Sequence, residues 1–203
     1  CAGVGGKRLQ ADGEDIIAMN MKMVENVMKC EDMFTKVVLF GSGAAFGRVE
    51  YGTPQHIRGV CHADLVELPP SAFETNKCCE HYDRAKCLIE HKYGEHPKCI
   101  HLRIFGCYGE DQEPQRFHAV CQENATVEVV DRYFDFVSVD DVVRVCAYIA
   151  EDKGEIPQHL NLCYQHKKKL SQIACELGCI PIISEKQGCD YTGKYEAFER
   201  YMI

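Results

Sequence analysis

The strongest limit on the fold is an alternation of short apolar runs with stretches of helical period. Lys36-Val-Val-Leu-Phe40 is a buried-strand run that stops at Gly41. Before it, Ile17, Met21, Val24 and Met28 recur at helical spacing, which predicts an amphipathic helix over 15–30. Residues 48–71 are irregular, broken by Gly52, Pro54, Gly59, Pro69 and Pro70. A second helix is predicted from about 75 to 93, closed by Gly94. Strand patterns follow at 99–105 and 127–130. Asp140 or Asp141 is expected to N-cap a helix with Val142, Val143, Cys146, Ile149 and Ala150 on its apolar face. Residues 159–163 read as a strand, 170–177 as a helix and 180–183 as a last short strand.

Strands alternating with helices predict an α/β domain on a largely parallel sheet. Ligands of such sheets sit beyond the C-terminal strand ends. Gly41-Ser42-Gly43 and Phe105-Gly106-Cys107 each follow a strand directly, so both loops belong at that edge. The sequence shows no internal repeat or low-complexity segment.

Composition narrows the function. A net charge of −8 argues against a nucleic-acid partner, which favours a basic face. The densest basic run, Lys167-Lys168-Lys169, reads as a solvated helix start. No apolar run approaches the roughly 20 residues of a membrane span, and no signal-peptide core opens the chain. The missing initiator Met leads to the expectation that the natural start lies upstream. Fourteen cysteines at irregular spacings in 203 residues do not make a disulfide scaffold. They suit free thiols and a cytoplasmic home. Cys87, His91, His96 and Cys99 have residue types that zinc accepts, but no recognised ligand spacing frames them, so no metal is expected.

Two Tyr-x-x-x-Lys pairs occur, Tyr82…Lys86 and Tyr164…Lys168. The first lies inside a predicted helix, where an i, i+4 separation shares one face. A phenol has a reference pKa near 10, and a neighbouring ammonium lowers it toward working range. Ser42 could then hold a substrate oxygen while Tyr82 exchanges a proton with it. Tyr164 closes a strand and Lys168 opens the next helix, so that pair lacks a common face and Tyr164 is expected to be structural. Gly41-Ser-Gly43-Ala-Ala-Phe-Gly47 looks like a phosphate-cradling loop, but no helical pattern follows Gly47.

In order along the chain, several segments resemble the extended short-chain dehydrogenase/reductases that modify nucleotide sugars, particularly GDP-L-fucose synthase-like members. They are AGVGGKRLQAD, KVVLFGSGAAFG, YDRAK, LRIFGCYGE, FDFVSVDDVV and LNLCY with KKKLSQIA. The resemblance implies a Rossmann-type doubly wound parallel sheet over 1–110. Residues 111–203 would add sheet strands and a small C-terminal substrate lobe. It implies NAD or NADP as cofactor, a nucleotide sugar as substrate and a homodimer. Tyr82 would be the general acid/base, with Ser42 on the sugar oxygen. Lys86 would hold the cofactor ribose, with Ala2, Gly3, Phe105 and Cys107 completing that half of the pocket. Gly106, Arg116 and His118 would approach the nucleotide sugar.

Three departures stand out. The family's Gly-rich phosphate loop and first two βα units do not occur in residues 1–203, so residues 1–203 alone are expected to bind a dinucleotide weakly. Ala44 stands where fucose synthases carry a cysteine, and His118 matches their histidine only loosely. Phe134 stands where many relatives have a substrate-binding Arg. The expectation is an NAD(P)-dependent nucleotide-sugar epimerase, reductase or dehydratase. The alternatives are a strict GDP-L-fucose synthase-like 3,5-epimerase-4-reductase and a non-catalytic module that keeps the fold for binding or assembly.

Overall fold

The computed structural model describes residues 15–43, 81–186, 188 and 190–202. Ala2, Gly3, the irregular stretch 48–71, the start of the helix expected at 75 and residues 44–47 of the glycine loop lie outside them. In chain order the elements are α1 (Asp15–Met28), β1 (Val37–Ser42), α2 (His81–Tyr93), β2 (Cys99–Ile104), β3 (Cys107–Tyr108), α3 (Phe117–Glu123) and β4 (Thr126–Val129). Then follow β5 (Val137–Ser138), α4 (Val139–Ala150), β6 (His159–Leu162), α5 (Leu170–Glu176) and β7 (Ile180–Ile183). No helix among the described residues is long and apolar enough to cross a membrane.

The main sheet is β1-β2-β6, parallel throughout. Its central strand, β2, is buried along most of its length, as a strand covered on both faces must be. Period-2 alternation divides its side chains between two different environments. Ile100 and Leu102 join Leu160, Leu162, Val142, Val145 and Ile149 in an apolar core beneath α4. On the opposite face, beneath α1 and α2, Cys99 joins Met28, Val37, Leu39, Ile89 and Tyr93. The same face carries the buried polar residues His101 and Arg103. Helices on both faces of a parallel sheet make this a doubly wound α/β fold.

The C-terminal half supplies β6 to this sheet and builds a smaller unit of its own. There β4 pairs with β7, again in parallel, over a core of Cys121, Ala174 and Cys179 with Phe117 and Leu177 around it. The pair β3–β5 joins Cys107 to Val137 between the two units.

Two details differ from the sequence reading. Helix α4 is capped by Ser138, whose Oγ accepts from Asp141 N at 3.1 Å; Asp140 and Asp141 lie in its first turn instead. A serine one residue ahead of the helix reaches the third amide, which an aspartate already inside the helix cannot do. The buried face of α4 runs through Val142, Val145 and Ile149, while Val143 is 59% exposed and Ala150 is also exposed. Apolar character at Val143 is therefore not a burial signal.

Leu160 is fully buried between the central strand and α4. Leu160→Ala should cost about 2–5 kcal/mol in urea unfolding, whereas Val143→Ala should stay within about 0.5 kcal/mol.

Candidate active site

Helix α2 runs antiparallel to the strands it covers. At its far end, Tyr93 O faces His101 Nε2 at 3.2 Å. One turn earlier, Glu90 receives the Arg103 Nε–H. A further turn back, Lys86 Nζ donates to Phe40 O at 2.8 Å. Tyr82, one more turn toward the helix start, is thereby carried to the C-terminal end of β1, where Ser42 lies. The Lys86 ammonium sits 5.5 Å from the Tyr82 ring centroid. Burial pushes the Lys86 pKa down from its ordinary value, and the Glu90 charge pulls it back in part. The i, i+4, i+8 spacing of Tyr82, Lys86 and Glu90 aligns a phenol, an ammonium and a carboxylate on one helix face.

Ser42 is buried, and its Oγ lies 3.0 Å from the hydroxyl of Tyr191. The sequence reading missed Tyr191. It sits in an aperiodic stretch after β7, and only the tertiary fold brings it to β1. Phe105 is buried beside it, packed against Cys163 and Tyr191. A Cβ on Gly43 or Gly193 would run into the Phe105 ring, so both positions need glycine for the ring to fit. Cys107 is half-buried, and burial raises its thiol pKa.

A cavity of about 430 Å³ opens next to this point. Tyr108, His118, Phe134, Phe136, Tyr164 and Lys168 are among the residues that line it. His118 lies in α3 and is 6% exposed. Its ring stacks on Tyr108 at 4.3 Å and meets Phe136 edge-on at 4.5 Å. Its Nδ1 has no hydrogen-bond partner among the described residues. Burial pulls its pKa down to about 4, so the imidazole is neutral at pH 7. Gly106 leaves room for Phe134 and Phe136, whose rings a Cβ there would strike. Arg116 is exposed just before α3, pairs with Glu113 at 3.6 Å and does not line the cavity.

The second Tyr-Lys pair behaves differently. Tyr164 donates its hydroxyl to Asp141, while Lys168 pairs with Glu176 at 2.7 Å. Burial first, and Asp141 second, raise the Tyr164 pKa far above the ordinary phenol value. A phenol held that way is a poor acid or base at neutral pH.

The cysteine-histidine set considered for zinc does not assemble. His96 Nε2 pairs with Glu31 at 2.8 Å, and Cys99 Sγ lies against Met28 Sδ at 3.7 Å. Among the described residues the one group with metal-ligand proximity is Glu90, His101 and His159, with ligand atoms within 4.8 Å. Arg103 already occupies it, bonded to Glu90 and lying 3.1 Å from His159 Nδ1 through Nη2. A divalent ion would add charge to a buried network that already holds a guanidinium. Burial pushes the Glu90 pKa up, but His159 and Arg103 outweigh it and hold the carboxyl below its usual range.

No family model and no curated protein matches the sequence. Solved structures match over the whole chain. RMD from Pseudomonas aeruginosa, complexed with NADPH, aligns with 100% of this chain and 73% of its own at a TM-score of 0.70 and 15% identity. The likeness is one of fold. TunA, an NAD-dependent NDP-hexosamine 5,6-dehydratase, covers 100% of this chain and 68% of its own at a TM-score of 0.67 and 15% identity. The UDP-glucose 4-epimerase of Thermus thermophilus, complexed with NAD, covers 100% and 68% at 0.63 and 16% identity. Ser42, Lys86, Phe105 and Tyr191 gather at the C-terminal edge of the main sheet.

His118 gives a pH signature. Its folded pKa of about 4 lies below the 6.5 of a free imidazole. The unfolded chain therefore takes up a proton that the folded protein refuses, and stability present above pH 6.5 is lost as pH falls toward 4. In His118→Gln the loss across that window should be shallower, by up to about 1.4 kcal/mol per pH unit, in urea titrations.

Proposed function

We propose that the protein is an NAD(P)-dependent enzyme that exchanges hydride at a carbon of a nucleotide sugar, with Tyr82 as general acid/base. The observation that carries this reading is Lys86. One ammonium lies against the Tyr82 ring and bonds to Phe40 O, two residues before Ser42. That is the arrangement a phenol needs to work near neutral pH. Tyr82 takes the proton from a sugar hydroxyl or returns it to a carbonyl, and Ser42 hydrogen-bonds the same oxygen as its charge changes.

The residues suit a dinucleotide in their chemistry. Lys86 would hold the ribose hydroxyls, with Phe105 and Cys107 as an apolar wall, and Ala2 and Gly3 belong to the same proposal. The bound dinucleotide would supply the hydride acceptor or donor. Structures with this fold were solved with NADPH or NAD, and MoeE5 with UDP-glucuronic acid or UDP-glucose as well. The cavity beside Tyr108, His118 and Phe134 is the proposed place for the sugar nucleotide, with Gly106 behind the Phe134 and Phe136 rings. Arg116 would contact the substrate only by leaving Glu113. The stricter fucose synthase-like reading draws support from His118, neutral and facing the cavity, but not from Ala44, which offers no thiol.

Tyr82→Phe should lower turnover about 10²- to 10⁴-fold, measured with a nucleotide sugar at saturating cofactor. Its affinity for NADH or NADPH, followed by cofactor fluorescence, should stay within about twofold, since only the hydroxyl is lost. Lys86→Met should weaken both. Undiminished turnover in Tyr82→Phe would remove the assigned role.

A further inference from the structure

The cavity of about 430 Å³ is at the small end for a ligand pocket, with room for one ring rather than a whole nucleotide sugar. Tyr108, Phe134, Phe136 and Tyr164 give it flat apolar walls. Phe134 lies 5.2 Å from the Tyr191 ring, and the Tyr191 hydroxyl lies 3.0 Å from Ser42 Oγ. That wall therefore borders the reacting end of the site.

The lining is acidic. Lys168 is its one lysine or arginine among the described residues, and Glu176 holds the ammonium at 2.7 Å. Asp135 is matched by Lys167 at 2.8 Å. The third carboxylate, Glu199, meets the Tyr195 hydroxyl, but no lysine or arginine among the described residues pairs with it. Its Oε2 has no hydrogen-bond partner among them either. His118 is neutral at pH 7 and adds no positive charge, and its Nδ1 is likewise without a partner there. Two cavity phenols feel the same field. Burial first, and Asp141 second, raise the pKa of both Tyr108 and Tyr164.

We propose that this cavity takes the ring of a neutral sugar and rejects a sugar acid, with Glu199 as the residue that discriminates. This rests on the reading of the protein as a nucleotide-sugar enzyme. Glu199 accepts from a sugar hydroxyl, the donor that its carboxylate lacks. A sugar carboxylate brings no donor and adds a like charge, in surroundings where charges act more strongly than in water. The diphosphate meets the same field and lies outside the cavity. Sugar acids are not foreign to the fold, since MoeE5 was solved with UDP-glucuronic acid.

Calorimetric titrations of the wild type and Glu199→Gln test this. They compare UDP-glucose with UDP-glucuronic acid and GDP-mannose with GDP-mannuronic acid, each against the nucleoside diphosphate alone. We expect the neutral sugar to bind at least about tenfold tighter than its acid. Glu199→Gln keeps the shape and removes the charge, so the gap should shrink to within about threefold. Equal wild-type affinities for the neutral and acidic sugars would overturn the proposal, as would a gap that survives Glu199→Gln. So would an equal effect of the substitution on UDP or GDP alone, which would put the base in the cavity. Each of these leaves the proposed reaction standing, because nucleotide sugars still bind. Binding of none of the four removes the proposed function, and the inference falls with it. The wild-type comparison decides even if Glu199→Gln fails to fold.

Discussion

The site depends on the buried contact between Glu90 of α2 and Arg103 of β2. Both side chains are less than a tenth exposed, so neither charge can be left without the other. The contact pins α2 along its length, and the helix period then settles where every other residue of that face goes. One turn from Glu90 is Lys86 at the end of β1; another turn brings Tyr82. A shift of α2 by one residue would rotate the ammonium about 100° away from Phe40 O. The Tyr93 and Gly94 carbonyls, bonded to His101 and His159, tie the far end of the helix in the same register.

Electrostatics separates the two Tyr-Lys pairs more clearly than spacing does. Tyr82 has an ammonium 5.5 Å from its ring centroid. Tyr164 has a carboxylate at its hydroxyl, which favours the phenol. Identical spacings thus carry neighbours of opposite sign. Lys168 cannot rescue the second pair, because Glu176 already holds it.

The C-terminal half completes the site through a buried anion. Asp135 gathers Lys167, Thr192 and Gly193, and so draws the stretch after β7 back across the end of the main sheet. Phe105 fills the gap between the two halves where Gly43 and Gly193 leave space. The neutral His118 beyond it owes its state to three aromatic neighbours and to the absence of a hydrogen-bond partner for Nδ1 among the described residues.

Much of the architecture was legible in residue order. The strand runs at 36–40 and 99–105 and the helix ending at Gly94 correspond to β1, β2 and α2, because burial periodicity is a local property of the chain. The shared face of Tyr82 and Lys86 was legible for the same reason. The face of α4 was only partly legible, since Val143 is apolar and exposed while Val145 carries the packing. Tyr191 could not be read at all. It is separated from Ser42 by 149 positions, and no local pattern marks it. The burial of His118 and the carboxylate at the Tyr164 hydroxyl were equally hidden. Local periodicity determined the elements; desolvation and long-range hydrogen bonds, which exist only once the chain is packed, decided which side chains meet at the site.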